Sequence, residues 1–178
     1  MGRRSCQMGR GMSISEKTEQ VLQKRYPNLA FLSTLLSKKK KLLFKTFLTL
    51  PPPSLLNKVD ILYVYGLSAP SIGYDGFQWL QATNNRDLVF LEEDVDRLNA
   101  FFSSDFAYDI LNHPLIHIRF NMNPAKLECF LEQCAFDFPM ENIEVIMASS
   151  CKKGTKDRFK EVKKHLKRKI YAFPYTNH

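Results

Sequence analysis

Four short apolar runs, most of them followed by a stretch with helical spacing, set the rhythm of this chain. They are Asp60-Ile61-Leu62-Tyr63-Val64-Tyr65, Asp87-Leu88-Val89-Phe90-Leu91, Leu115-Ile116-His117-Ile118-Arg119-Phe120 and Asn142-Ile143-Glu144-Val145-Ile146-Met147. The first reads as a buried strand, and the other three as further strands. A helix from about Tyr74 to Thr83 is expected after the first. The second leads into Val95–Phe102, where Val95, Leu98, Phe101 and Phe102 fall on one side, and then a shorter helical stretch from Phe106 to Leu111. After the third, Pro124 suits the first turn of a helix whose Leu127, Phe130, Leu131 and Cys134 keep an i, i+3, i+4, i+7 stripe. The fourth precedes a basic amphipathic helix, Lys152 to Tyr171, with Phe159, Val162, Leu166 and Ile170 along one side. Strands alternating with helices of this length predict an α/β fold: a Rossmann-like parallel sheet of at least four strands with flanking helices.

A small helical and strand lead-in precedes that alternation. Ser13 with Glu16 makes a capping box, and Ile14, Val21 and Leu22 share a face with Thr18 between them, so residues 13–25 read as a helix that Pro27 ends. Ala30–Leu36 is a second short helix, Lys38–Lys41 a solvated turn, and Leu42–Leu50 a candidate strand. Pro51-Pro52-Pro53 continues neither ladder nor helix and marks a linker. The organisation expected is 1–53 lead-in and linker, 54–150 Rossmann-like domain, and 151–178 basic helix and tail.

Composition narrows this further. At 178 residues, with 44% hydrophobic and 12% aromatic content, the chain suits one compact domain and excludes global disorder. Cys6, Cys129, Cys134 and Cys151 contain no CxxC pair, which points to reduced thiols and no metal site. No stretch is apolar for long enough to span a bilayer, and Arg3, Arg4 and Arg10 precede no apolar core of a secretory signal. A cytoplasmic protein is expected, with Met8 and Met12 as alternative initiators. The net charge of +8 is unevenly spread: residues 54–150 hold 5 Lys/Arg against 14 Asp/Glu, while residues 151–178 hold 10 against 2. The basic ends are free to dock on the acidic middle, on a partner domain or on a polyanion. The face from Lys152 to Lys169 is therefore a candidate polyanion contact, salt-sensitive if real.

Candidate chemistry gathers after the first strand. Gly66-Leu67-Ser68-Ala69-Pro70-Ser71-Ile72-Gly73 joins that strand to a helix opening at Tyr74, and Glu92 ends the next strand. A glycine turn onto a helix N-terminus suits an anion, and a carboxylate on the neighbouring strand suits a ribose. The competing reading is a plain connection that needs flexible backbone at Gly66 and Gly73; the G-x-G-x-x-G fingerprint is absent, and Pro70 lacks an amide donor. Glu93 shares the acidic cluster, and Asp94 is placed to cap the following helix. His117 reads as a core or edge histidine, and His113 stands before a proline. There is no nucleophile elbow or P-loop lysine, so the chain names no catalytic residue and no particular cofactor.

The phrase Val21-Leu22-Gln23-Lys24-Arg25-Tyr26-Pro27-Asn28-Leu29-Ala30, followed by Gly66, Gly73-Tyr74, Glu92 and Asp94, resembles the opening of bacterial motility-associated factor proteins. That family shares a domain with 6-hydroxymethylpterin diphosphokinase-like enzymes. The resemblance spans roughly residues 18–150 and implies a Rossmann-like N-terminal module that binds a nucleotide or nucleotide-sugar ligand. Gly66 and Gly73-Tyr74 would admit the ligand, Ser68 and Ser71 would offer hydroxyls to phosphate, and Glu92 would hold the ribose. Two departures stand out: the inserted Ser68-Ala69-Pro70-Ser71, and the want of the family's longer downstream region, which implies a truncated relative. The alternatives are a small S-adenosylmethionine-dependent methyltransferase and a non-enzymatic module that binds a partner or nucleic acid.

Overall fold

The computed structural model describes residues 13–36, 56–67, 79–83, 85–138, 142–148 and 155–172. Among them run helices α1 (Ile14–Arg25) and α2 (Pro27–Leu36), strand β1 (Ile61–Tyr65), strand β2 (Asp87–Glu92), and helices α3 (Val95–Phe102) and α4 (Ala107–Asn112). Strand β3 (Ile116–Phe120), a 3-10 turn (Pro124–Lys126), helix α5 (Leu127–Asp137), strand β4 (Ile143–Met147) and helix α6 (Lys156–Ala172) follow. The four strands form one sheet in the order β3-β2-β1-β4, every neighbouring pair parallel. The chain winds outward from β1 through β2 to β3, then crosses back to lay β4 on the other side of β1. This is the Rossmann-like α/β sheet with flanking helices that the alternating pattern predicts.

Local signals behave as their chemistry dictates. Ser13 and Glu16 close the capping box of α1, and Asp94 caps α3 through the amides of Asp96 and Arg97. Pro27 does more than end α1: it is the first residue of α2, where its missing N–H costs nothing. Pro124 opens a 3-10 turn, and the α-helix proper starts at Leu127. The expected strand 42–50, the linker 51–53 and most of the helix 74–83 lie outside the described residues, of which 79–81 are helical.

Because both faces of the sheet are covered, β1 and β2 are buried almost end to end. One core lies under α1–α4: Leu62, Val64, Leu88, Phe90, Ile116 and Ile118 from the sheet meet Leu22, Leu29, Leu98 and Phe101. The other lies under α5 and α6: Tyr63, Tyr65, Val89, Leu91 and Val145 meet Leu127, Leu131, Cys134, Val162 and Leu166. The lead-in helices and the basic helix thus share cores with the sheet.

The second core gives the fold an alkaline limit. Burial pushes the Cys134 thiol up to about 12 and raises the Tyr63 phenol as well, the Tyr63 hydroxyl donating to the Cys134 carbonyl at 3.3 Å. A thiol raised in the folded state favours folding fully only below its unfolded value, and that contribution drains away as pH rises toward the folded one. Urea unfolding is therefore expected to show stability falling between pH 9 and 12, with a shallower fall in Cys134→Ala. An equally steep fall in the variant would remove Cys134 as a cause.

The two sheet edges are finished differently. On β3, the carbonyl of Ile116 points away from the sheet and accepts from Arg25 Nη2 at 3.4 Å and the Tyr26 hydroxyl at 3.0 Å. Arg25 Nη1 also reaches the carbonyls of Leu111 and His113 at 2.5 and 2.7 Å, so the end of α1 is bolted to α4 and the strand. On β4 the outward carbonyl of Val145 accepts from Lys163 Nζ at 3.2 Å. Strand alternation turns Glu144 to the face opposite α6, yet Lys163 and Lys167 reach it at 2.7 and 3.3 Å, so two lysine side chains fold over this edge. Burial works to raise the Glu144 carboxyl, but these ammoniums and the Val145 amide outweigh it and hold the group below the usual carboxylate range.

Candidate functional site

Open α/β sheets take ligands at the carboxyl ends of their strands, where the winding direction reverses. Here that place lies between β1 and β4, and β1 leaves it through a glycine with φ of 94°. Gly66 is the position where the turn requires glycine, since a Cβ is disfavoured there. Its amide donates to the Leu91 carbonyl at 2.7 Å, which closes the turn against β2.

The next amide is held by a carboxylate. Leu67 N–H donates to Glu92 Oε2 at 2.7 Å. Glu92 is wholly buried, and the donors around it hold it in place. Oε1 accepts from the amides of Glu93 and Asp94 at 2.8 and 2.7 Å and from Arg97 Nη2 at 2.9 Å. Arg97 Nε adds a bond to Oε2 at 3.0 Å. Five donors converge on two oxygens that together offer about four lone-pair directions. The ribose role expected of Glu92 requires a vacant direction, and this geometry spends them all inside the protein. What Glu92 does here is fix Leu67, just after Gly66, relative to β2 and α3.

A second acidic group sits beside it. Glu93 accepts from the Tyr65 hydroxyl at 3.1 Å, from Asn121 Nδ2 at 2.8 Å, and from Arg158 Nε and Nη2 at 3.1 and 2.9 Å. Arg158 also donates to the carbonyl of Pro124 and to Glu161. The bidentate carboxylate holds its guanidinium above the usual range, with Glu161 adding to it against the opposing effect of burial. Asn121, buried, donates its backbone amide to the Glu92 carbonyl at 2.8 Å and accepts from Asn123 N–H at 3.1 Å. Side chains from the ends of β1, β2 and β3 and from α6 thus interlock in one layer. Its two glutamates are balanced by Arg97 and Arg158, so the layer sets no large negative field against an incoming anion.

Of the residues singled out from the sequence, Gly66 and Glu92 meet at this edge. Ser68, Ser71, Gly73 and Tyr74 lie outside the described residues. The partners that complete the layer, Tyr65, Arg97, Asn121 and Arg158, had no local signature. Arg97 follows Glu92 by five residues across a helix cap, and Arg158 is 65 positions from Glu93.

The histidines lie elsewhere. His117 Nε2 pairs with Asp87 at 2.7 Å near the amino end of β2, and its ring packs against Phe138 at 4.8 Å between centroids. Arg119 pairs with Asp137 at 2.7 Å on the same face. This is how an edge histidine is satisfied. No group of three or more His, Cys, Asp or Glu side chains among the described residues can hold a metal ion, and no described helix is long and apolar enough to cross a membrane. Comparison with protein-family models, curated proteins and solved structures finds no match to this chain.

Proposed function

We propose that this protein is a nucleotide-binding Rossmann-like module of the motility-associated-factor and 6-hydroxymethylpterin diphosphokinase-like kind, taking a nucleotide or nucleotide-sugar ligand above Gly66. The observation that carries the reading is the braced loop origin. A wholly buried Glu92, paired with Arg97, holds the first backbone amide after the glycine that leaves the central strand at the winding reversal. Burying a carboxyl group is costly, and its return is that the chain leaving β1 starts from one fixed place at Leu67. In this reading Glu92 acts through the backbone, and the phosphate contacts fall to Ser68, Ser71 and the Gly73-Tyr74 segment. The balanced layer of Glu93, Arg158 and Asn121 forms the floor on which the ligand rests.

Thermal-shift measurement against nucleotide sugars, diphosphates and S-adenosylmethionine tests this. A ligand at a hundredfold its dissociation constant adds about 2.7 kcal/mol, or roughly 5–11 °C in a protein of this size. The expected result is stabilisation by a nucleotide or nucleotide sugar that disappears in Ser68→Ala/Ser71→Ala, whose unliganded melting temperature stays unchanged. No shift at millimolar ligand, or a shift that survives the double substitution, would retire the reading. A response to S-adenosylmethionine alone would move it to the methyltransferase class.

A further inference from the structure

Helix α6 divides its basic residues between two destinations. Arg158, Lys163 and Lys167 turn to the sheet and are neutralised there by Glu93 and Glu144. Lys156, Lys160, Lys164 and Arg168 are exposed and follow one another at i, i+4 spacing. Among the described residues, Lys156, Lys164 and Arg168 pair with no carboxylate, and Lys160 meets only the exposed Asp157 at 3.1 Å. Docking on the acidic middle therefore accounts for the inner row and leaves the outer row unexplained.

We infer that this outer row is a docking surface for a nucleic-acid duplex, gripped by its phosphates. Positions four apart on a helix are separated by about 6 Å along its axis and turned by about 40°, so the four cations form a ladder about 18 Å long that winds about a third of the way around the helix. Such a ladder suits a partner whose negative charge repeats at regular short intervals along a stiff backbone. A protein partner fits poorly, because the one described aromatic beside the row, Phe159, is half-buried against the second core and leaves no exposed anchor of the kind that carries binding energy at protein interfaces. A membrane fits poorly too: Val162 and Leu166, the apolar side an interfacial helix would insert, are sealed in the core under the sheet. Single strands are disfavoured because no Phe, Tyr or Trp among the side chains described on α6 is an exposed ring on which bases could stack. Asp157 and Glu161 are the acidic side chains of the same helix, and Glu161 is turned toward Arg158. The surface reads charge and spacing, with no base-specific contact.

Fluorescence anisotropy with a labelled 20-base-pair DNA duplex, across a salt series, tests the inference on the full chain. Four phosphate contacts predict a slope of about −3.6 in log affinity against log salt, an affinity loss of roughly 150-fold between 50 and 200 mM. Lys156→Glu/Lys160→Glu/Lys164→Glu/Arg168→Glu is expected to cut affinity at 50 mM salt more than tenfold, with circular dichroism and melting temperature unchanged because every altered side chain is exposed. Lys160→Gln/Lys164→Gln, which introduces no repulsion, is expected to lower the slope by about half. No binding at 50 mM salt, a slope near zero, or equal binding by the fourfold variant overturns the inference. So does equal affinity for phosphatidylserine vesicles, which would make the row a general anion surface.

Discussion

Glu92→Ala is expected to cost about 3–5 kcal/mol of folding stability, the range seen when one partner of a buried ion pair is removed. The substitution strands three amides, those of Leu67, Glu93 and Asp94, together with the Arg97 guanidinium, in a region where Glu92 itself has no exposure. In a protein of this length that is a melting-temperature drop of roughly 6–20 °C. Urea unfolding monitored by far-ultraviolet circular dichroism would measure it. Arg97→Ala alone should be costly as well, and the double variant should lose less than the sum, because the stranded charges vanish together. A loss below 1 kcal/mol in Glu92→Ala would mean that water or another donor set replaces the carboxylate, and the brace would cease to explain the loop.

Arg158→Ala carries the second largest expected effect, about 2–3 kcal/mol. The forked guanidinium is the only described cation on Glu93, whose side chain is 13% exposed, and it also ties α6 to the Pro124 carbonyl. Its own 25% exposure keeps the figure below that for Glu92. Arg158→Lys should recover less than half, since an ammonium cannot make the two parallel bonds. Hydrogen exchange should show α6 loosening before the sheet in both variants. Full recovery by lysine would reduce the contact to simple charge neutralisation.

The sheet was legible because period and composition act locally. The runs of β1 and β2 are dense enough to demand burial on both faces, and alternation with helices leaves a parallel sheet as the economical solution. Caps at Ser13 and Asp94 were legible for the same reason, their partners being two or three residues away. The meaning of Glu92 was not. Its position at a strand end fits a ribose acceptor and a structural brace equally, and the choice rests on where Arg97 and the Leu67 amide fall in space. The Glu93–Arg158 fork depends on how the basic helix seats on the sheet, a long-range fact with no periodic signature. The charge asymmetry was visible in composition, but only the helix's two-sided geometry separates the lysines that fold against carboxylates from those left in solvent.

The lysines draped over the outer strand have a consequence for how this protein behaves in concentrated solution. A bare strand of Ile-Glu-Val-Ile-Met is the kind of segment that recruits identical segments into fibrils, and its counterpart on the far side of the sheet is shut by an arginine and a tyrosine. On the β4 side the guard among the described residues is two flexible ammonium groups held by a single glutamate. Colloidal stability at that border is therefore electrostatic in origin. Acylation of Lys163 and Lys167 is expected to disarm it without disturbing the hydrophobic interior, which light scattering of the acylated protein would register as self-association.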